Sequence, residues 1–146
     1  MSRSELRSDE ASRTFADTLA GRGNAKRALD GRRAEAAAVD YLRLNGFEIL
    51  GTNVRVGALE IDVVARRGVL VAVVEVRTRG LGSYVRALAS IDARKRERLV
   101  RAAGRLWKDK LAADHTIERL RIDVIAVTFE GGRTFVEHIE AAIVAS

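Results

Sequence analysis

Apolar and polar residues follow two different periods along the chain, and each change of period predicts the end of one element and the start of another. Two long stretches have the spacing of helices, and five short stretches are rich in the β-branched residues typical of strands. The predicted elements are a helix over about 24–45, strands over 47–55, 58–65 and 69–76, a helix from the N-cap residue Asp92 to Ala113, and strands over 120–129 and 134–139. This α-β-β-β-α-β-β order predicts an α/β fold in which helices flank a mixed sheet.

The first 23 residues differ in composition from the rest of the chain, because they mix small and charged residues and include the helix-breaking Gly21 and Gly23. We expect residues 1–23 to form a flexible arm, with a short helix around Phe15–Leu19, and residues 24–146 to form one domain. A chain of 146 residues is long enough to bury one core but not two.

The composition excludes several classes of protein. The chain has no Cys, which excludes a disulfide scaffold, a thiolate zinc site and a cysteine nucleophile. Its longest apolar run, Val69 to Val74, is far shorter than the roughly 20 residues of a membrane-spanning helix. The charged N-terminus lacks the apolar segment of a signal peptide, so we expect a cytoplasmic protein without a membrane partner.

The net charge of +6 is unevenly distributed. Residues 77–110 carry 11 basic and 3 acidic side chains, whereas residues 35–76 carry 4 basic and 6 acidic ones. The basic stretch begins with Arg77 and includes Arg79, which lies before the second predicted helix. On one face of that helix it places five cations: Arg94, Arg98, Arg101, Arg105 and Lys108. Cations at this spacing repel one another, which favours a surface that contacts the phosphates of a nucleic acid. The alternative is a solvated face of an Arg-rich helix.

Two charged residues interrupt apolar helix faces. Glu35 shares a face of the first helix with Ala28, Val39 and Leu42, at spacings that place all four residues in one row. The alternative is a carboxylate at the edge of the buried stripe, paired with a neighbouring arginine. Lys95 interrupts the apolar stripe of the second helix, and the alternative there is a lysine whose stem lies along the stripe while its ammonium reaches water.

Three more charges meet at one end of the predicted central hairpin. Asp62 lies in a strand that otherwise looks buried, and Glu75 and Arg77 share a face at the C-terminal end of the next strand. A buried charge must be paired or bind a metal, and the alternative for Glu75 and Arg77 is an internal ion pair or a solvated strand end without a partner. A four- or five-residue turn around Gly68 would place Asp62 and Glu75 opposite each other, with Cβ atoms about 5 Å apart. A two-residue turn at 66–67 would offset them, and a Gly directly after two Arg residues favours the longer turn.

Two opposed carboxylates, with a third from the neighbouring helix and a basic side chain close by, suggest a metal site. Mg²⁺ and Mn²⁺ bind carboxylate and phosphate oxygens. A cation held in this way can activate water and stabilise the charge that develops on a phosphodiester during hydrolysis. The two histidines, His115 and His138, have no metal-ligand spacing, and we interpret them as structural or surface residues.

The spacing from Asp62 to Glu75-Val76-Arg77 resembles the PD-(D/E)xK signature of restriction-endonuclease-like nucleases. Over 31–142 the chain more closely resembles the YraN-like group, uncharacterised protein family 0102, which is related to archaeal-type Holliday-junction resolvases. The matching segments are Gly31-Arg32-Arg33-Ala34-Glu35, Asn45-Gly46-Phe47-Glu48-Ile49-Leu50, Asn53-Val54-Arg55, Glu60-Ile61-Asp62-Val63-Val64-Ala65, Val74-Glu75-Val76-Arg77-Thr78-Arg79, Lys95 with Arg98-Leu99, Arg121-Ile122-Asp123-Val124, and His138-Ile139-Glu140.

The resemblance implies a restriction-endonuclease-like core, Mg²⁺-dependent cleavage of structured or branched DNA, and a homodimer, since junction resolvases act as symmetric pairs. It carries Glu35, Asp62 and Glu75 over as acidic metal-site residues, and Arg77 and Lys95 as the cations of the same catalytic site.

Two positions depart from the family pattern. Leu59 stands where the family usually has Gly, and Arg77 stands where it usually has Lys. Arginine keeps the positive charge but is effectively never neutral, so it preserves an electrostatic role and abolishes a role in proton transfer. A non-catalytic nucleic-acid-binding module of the same fold is therefore a second hypothesis. An interaction protein that uses neither DNA nor metal is a third.

Overall fold

The computed structural model describes residues 15–78 and 87–144, and it confirms the predicted order of helices and strands. The elements are α1 (Phe15–Leu44), β1 (Glu48–Val56), β2 (Leu59–Arg67), β3 (Leu70–Thr78), α2 (Ala93–Leu106), β4 (Arg119–Glu130) and β5 (Arg133–Ile143). One π-helical turn, Trp107–Leu111, continues α2. Asp92 is the N-cap of α2, as predicted, because its side chain accepts the backbone N–H of Lys95 at 2.8 Å.

The five strands form one mixed sheet in the order β1-β2-β3-β4-β5. Strand β3 pairs parallel with β4, whereas β1–β2, β2–β3 and β4–β5 are antiparallel. A parallel pair needs a long crossover, and α2 lies in the segment that joins β3 to β4. Strand β3 is central and is buried from Leu70 to Glu75, in agreement with its nearly continuous apolar sequence. The predicted α/β class is confirmed.

Two buried apolar clusters lie on the two faces of the sheet. Leu99 and Leu106 of α2 belong to the same cluster as Val73 of β3. Ala38 and Leu42 of α1 belong to the other cluster, with Val74 of β3. Because alternate residues of β3 join opposite clusters, Glu75 lies on the face that α2 covers.

The chain divides into two compact units, Met1–Arg32 and Arg33–Ser146. The prediction that α1 starts near Asn24 was wrong, since the helix begins at Phe15 and includes Gly21 and Gly23. Glycine in a helix costs about 1 kcal/mol relative to alanine but keeps its N–H, so good helix formers on both sides can carry a helix through it. Residues 1–14 of the predicted arm lie outside the described residues. None of the described helices is long and apolar enough to cross a membrane.

The β2–β3 hairpin has the predicted register but a shorter turn. The pairs run from Val63 with Val74 to Arg67 with Leu70, so only residues 68–69 connect the strands. The prediction of a four- or five-residue turn was therefore wrong. Gly68 has φ +61°, whereas the next residue does not have a positive φ, which is the pattern of a type II′ turn with Gly at its first central position.

Candidate active site

Glu35 lies beside the buried stripe of α1 rather than within it. The buried residues are Ala34, Ala38 and Leu42, and Ala28 of the predicted face is exposed. The predicted face was thus rotated by about one residue, which leaves Glu35 half-buried at the edge of the stripe. This position agrees with the alternative reading of Glu35, although a hydrogen bond joins its carboxylate to Asn53 rather than to an arginine.

A local irregularity in the β1–β2 ladder places Asp62. Val54 and its partner Ile61 pack in the cluster on the α2 face, whereas Val63 packs in the cluster on the α1 face, so the alternation of faces breaks at Asp62. Opposite Asp62 stands Asn53, whose φ of 49° is left-handed. Asparagine tolerates this conformation better than most residues. Its Nδ2 donates to Glu35 Oε2 at 3.3 Å and links this break to α1.

Asp62 and Glu75 lie close together just beyond the last pair of the β2–β3 ladder, Val63 with Val74. The carboxylate of Asp62 accepts the backbone N–H of Val76 at 2.9 Å. Glu75 is only 3% exposed, so its charge is nearly removed from water. The structure therefore brings the two carboxylates close together, whereas their direct cross-strand pairing stays a prediction.

Two cations contact one oxygen of Glu75. Lys95 Nζ lies 3.4 Å and Arg77 Nη2 lies 3.5 Å from Glu75 Oε1. The other oxygen, Oε2, is buried and has no hydrogen-bond partner among the described residues, and the same is true of Arg77 Nε. Buried polar atoms in proteins are nearly always paired, so an unpartnered carboxylate oxygen needs a physical explanation.

The environment of Glu75 works against its ionised form. Burial and the negative charge of Asp62 raise the pKa of Glu75 to about 7, although Lys95 and Arg77 oppose the shift. Burial also raises the pKa of Glu35; the hydrogen bond from Asn53 opposes this rise, and the charges of Asp62 and Glu60 add to it. Three carboxyl groups therefore influence one another electrostatically, and a bound cation would favour their ionised forms.

The donor set fits a divalent cation. Mg²⁺ is commonly held by one or two carboxylates and completes its shell with water and phosphate oxygens. Asp62 and Glu75 supply two carboxylates, and Glu75 Oε2 is an acceptor that no described protein donor uses. Within the described ranges, no three His, Cys, Asp or Glu side chains are close enough together to hold a metal ion. The role of Glu35 as a metal ligand stays a prediction.

A groove beside the carboxylate pair is lined by two cations and by one carboxylate, that of Glu60. It has a volume of about 460 Å³ and is lined by Lys95, Arg98 and Leu99 of α2 and by 58–60 of the β1–β2 hairpin. Leu59, which replaces the usual glycine of the family, is one of these lining residues. Lys95 therefore faces both the groove and Glu75, so a phosphate bound in the groove would lie close to the pair.

The five predicted phosphate-binding cations of α2 and its π-helical turn are all exposed: Arg94, Arg98, Arg101, Arg105 and Lys108. Two of them have acidic neighbours, since Arg101 Nη2 lies 3.1 Å from Glu97 Oε1 and Arg105 Nε lies 4.0 Å from Asp109 Oδ2. Such exposed pairs are weak and do not prevent contact with an anion. Arg79 lies outside the described residues.

The sequence prediction missed a second polar cluster on the α1 face of the sheet. Asp123 is fully buried and accepts from Arg121 at 2.7 and 2.9 Å and from the Ala141 N–H at 2.9 Å. His138 Nε2 lies 2.8 Å from Asp123, and His138 Nδ1 lies 3.2 Å from the Tyr41 hydroxyl. The signal was one acidic residue inside an apolar strand. The interpretation of His138 as structural agrees with this network, and His115 is exposed.

The described fold defines the class of the protein: an α/β domain with a five-stranded mixed sheet and helices. The model of the uncharacterised protein family UPF0102 matches residues 34–127, and the chain belongs to this family.

Relatives of the chain carry the same family name. The UPF0102 protein sce2912 of Sorangium cellulosum is 51% identical over 97% of this chain and 99% of its own length. A UPF0102 protein of Anaeromyxobacter dehalogenans is 38% identical over 84% of this chain and 88% of its own length. Another, from Alkalilimnicola ehrlichii, is 42% identical over 70% of this chain and 79% of its own length. These names assign a family and no reaction.

Proposed function

We propose that this protein is a metal-dependent nuclease that hydrolyses phosphodiester bonds of DNA. The observation that carries the proposal is the Glu75 carboxylate, which is buried beside Asp62 and contacts two cations through Oε1, while Oε2 has no hydrogen-bond partner among the described residues. A polar atom left unpartnered in a buried site is costly, and ligand binding is one way in which a protein offsets that cost. The resemblance to nucleases gives the reaction class.

Each residue of the site has a separate role in this proposal. Asp62 and Glu75 hold Mg²⁺ or Mn²⁺, which supplies an activated water and neutralises charge on the scissile phosphate. Lys95 and Arg77 favour the ionised form of Glu75 and add positive charge where negative charge develops. Arg98 binds the phosphate backbone in the groove. Arg77 acts through its charge alone, because arginine does not release a proton near neutral pH.

The choice of substrate follows from the resemblance to junction resolvases. We extend the proposal to branched DNA, to a homodimer that cuts two strands symmetrically, and to action in the cytoplasm. The exposed cations of α2 support contact with a duplex backbone, because they form a row along one helix face.

The direct test is cleavage of junction, flap and duplex DNA with Mg²⁺ or Mn²⁺. We expect the wild type to cleave at least one substrate and Asp62→Asn and Glu75→Gln each to lose at least about a hundredfold in rate. Glu118→Gln is the matched control, since Glu118 is an exposed carboxylate outside the site, and its rate should equal that of the wild type.

A second readout separates metal binding from turnover. Mn²⁺ should raise the melting temperature of the wild type and of Glu118→Gln but not of Asp62→Asn or Glu75→Gln. No cleavage of any substrate, or equal cleavage by wild type and Asp62→Asn, would overturn the proposal.

The second candidate function is nucleic-acid binding without catalysis, which Arg77 at the usual lysine position favours. It predicts salt-dependent DNA binding that persists in Asp62→Asn, with no turnover by the wild type. DNA binding should weaken when Arg98 and Arg101 are changed to Gln, because each substitution removes a phosphate contact. The dependence of the affinity on salt concentration should decrease as well. Absence of any DNA complex at about 50 mM salt would instead favour the third hypothesis, an interaction protein.

A further inference from the structure

A basic pocket at the tip of the β1–β2 hairpin belongs to neither the carboxylate pair nor the groove. It has a volume of about 200 Å³, and the polar side chains that line it are three cations and one carboxylate: Arg55, Arg105, Lys110 and Asp109. Gly57 forms part of its wall. Three converging cations around a small concave space are the chemistry that recognises a phosphate group.

The guanidinium of Arg105 packs directly against Gly57. Gly57 has φ +62° in the two-residue turn that joins Val56 to Leu59, a conformation that side chains other than glycine rarely adopt. A Cβ placed on Gly57 would lie only 2.5 Å from Arg105 Nη1, so the guanidinium occupies the space that a side chain would fill. The ion pair of Arg105 with Asp109 runs through Nε, and Nη1 lies against the turn.

The pocket follows the groove along the axis of α2. The hairpin supplies one wall of both, through 58–60 in the groove and 55–57 in the pocket, and α2 supplies the other. Lys95 lies at the groove and Arg105 at the pocket, ten residues apart, which is about 15 Å along a helix. One strand of a DNA duplex advances about 3.4 Å per phosphate, so about four phosphates span that distance.

We infer that the pocket around Gly57 and Arg105 is a second phosphate-binding subsite, which holds the nucleic-acid backbone about four phosphates away from the Asp62–Glu75 pair. The inference rests on the proposed function for its polyanion, but it does not require catalysis. It distinguishes a shaped subsite from a diffuse row of exposed charges, because only a shaped subsite depends on Gly57.

The test compares oligonucleotide binding by Gly57→Ala, Arg105→Gln and the control Arg133→Gln, which removes an exposed cation in another hairpin. Dissociation constants are measured in EDTA with hairpin duplexes whose stems have three and ten base pairs, so a failure of cleavage does not affect the result. We expect Gly57→Ala and Arg105→Gln to weaken binding of the longer duplex about five- to tenfold, and binding of the shorter duplex less than twofold. Arg133→Gln should change neither.

Gly57→Ala is the sharper variant, because it retains every charge while it displaces the guanidinium and strains the turn at φ +62°. Its melting temperature must be compared with that of the wild type, and Arg105→Gln covers the case in which the alanine unfolds the turn. Equal losses for both duplex lengths would overturn the inference. Wild-type affinity in Gly57→Ala would overturn it too, because it would describe a diffuse row of exposed charges. So would an increase in melting temperature with inorganic phosphate equal to that with the longer duplex, because it would describe an anion site unconnected to a nucleic acid.

Discussion

Glu75 and Asp123 are buried carboxylates on neighbouring strands of the same sheet, yet their surroundings differ in almost every respect. Asp123 has hydrogen bonds to both of its oxygens, from Arg121, the Ala141 N–H and His138. Glu75 has two cations at 3.4 and 3.5 Å from one oxygen, and within 15–78 and 87–144 no hydrogen-bond partner for the other. A fully satisfied network stabilises a fold, whereas a partly satisfied one in a cleft indicates a binding site.

The pKa values of the two carboxyl groups follow this difference. Burial raises the pKa of Asp123, but hydrogen bonds with His138, Arg121 and the Ala141 N–H outweigh burial and lower it below its ordinary value. For Glu75, burial and the charge of Asp62 prevail and raise the pKa to about 7. This difference agrees with a structural role for Asp123 and with the proposed metal-binding role of Glu75.

The largest effect on stability should come from breaking the satisfied network. Asp123→Asn leaves Arg121 and His138 without their anionic partner inside the protein, so we expect the free energy of unfolding to fall by about 3–5 kcal/mol. Urea unfolding at neutral pH measures it. Glu140→Gln is the control, because exposed Glu140 lies 3.6 Å from the same arginine and should change stability by less than about 0.5 kcal/mol. A loss below about 1 kcal/mol for Asp123→Asn would remove the contrast with Glu75.

The second effect is the pH dependence of stability in the absence of divalent cations. Between 4.5, its ordinary pKa, and about 7, Glu75 holds a proton in the folded protein that it has released in the unfolded chain. The free energy of unfolding should therefore fall as the pH rises through this window, by on the order of 3 kcal/mol. The contribution of Asp123 has the opposite sign: it is present above about pH 4 and lost in stronger acid.

The check is urea unfolding in EDTA between about pH 5 and pH 8, for the wild type and Glu75→Gln. The variant has no carboxyl group to ionise at this position, so its stability should change less over the window, and at the upper end it should exceed that of the wild type. Parallel curves for the two proteins would mean that Glu75 does not titrate differently in the folded and unfolded states.

Most of the fold and the carboxylate pair could be predicted because their signals are local. Strands rich in β-branched residues, Asp92 as an N-cap and the midpoint between Asp62 and Glu75 each follow from sequence spacing. The length of the β2–β3 turn could not be predicted in this way, because two-residue and longer turns around one glycine give the two strands the same register. Gly68 at the first turn position selects the shorter one.

The rest depends on contacts between distant segments. The buried face of α1 could not be predicted because the helix is rich in alanine, which gives little contrast between faces. The left-handed backbone of Asn53 and its hydrogen bond to Glu35 join positions 18 residues apart. The partners of Asp123 come from β4, β5 and the backbone of Ala141, and only the assembled sheet brings them together.

A smaller effect should come from Arg77, whose charge faces Glu75. Arg77→Lys retains the charge, so cleavage should stay within about threefold of the wild type. Arg77→Gln removes it and should cost about tenfold, the worth of one hydrogen bond to a charged group. Rates with saturating Mn²⁺ measure both variants. A gain of more than about tenfold in Arg77→Lys would show that the reaction needs a cation able to release a proton, which arginine cannot do.

The smallest effect should come from substitution of Asn53. It tests whether Glu35 belongs to the proposed metal site with Asp62 and Glu75 or only stabilises the fold. Asn53→Gly retains the left-handed backbone, relieves its strain and removes only the amide that donates to Glu35 at 3.3 Å. Ala141→Gly is the matched control, since Ala141 has the same φ of 49° but supports Asp123 through its N–H, which glycine retains. Both variants should therefore fold at least as stably as the wild type.

The two variants should differ in their response to Mn²⁺. An exposed hydrogen bond to a carboxylate is worth about 1 kcal/mol, so the concentration of Mn²⁺ that gives half the thermal stabilisation should rise about fivefold in Asn53→Gly and stay constant in Ala141→Gly. Equal Mn²⁺ responses of the two variants would assign Glu35 to the scaffold. The metal site would then consist of Asp62 and Glu75 alone, and the functional half of the molecule would be confined to the β2–β3 hairpin and α2.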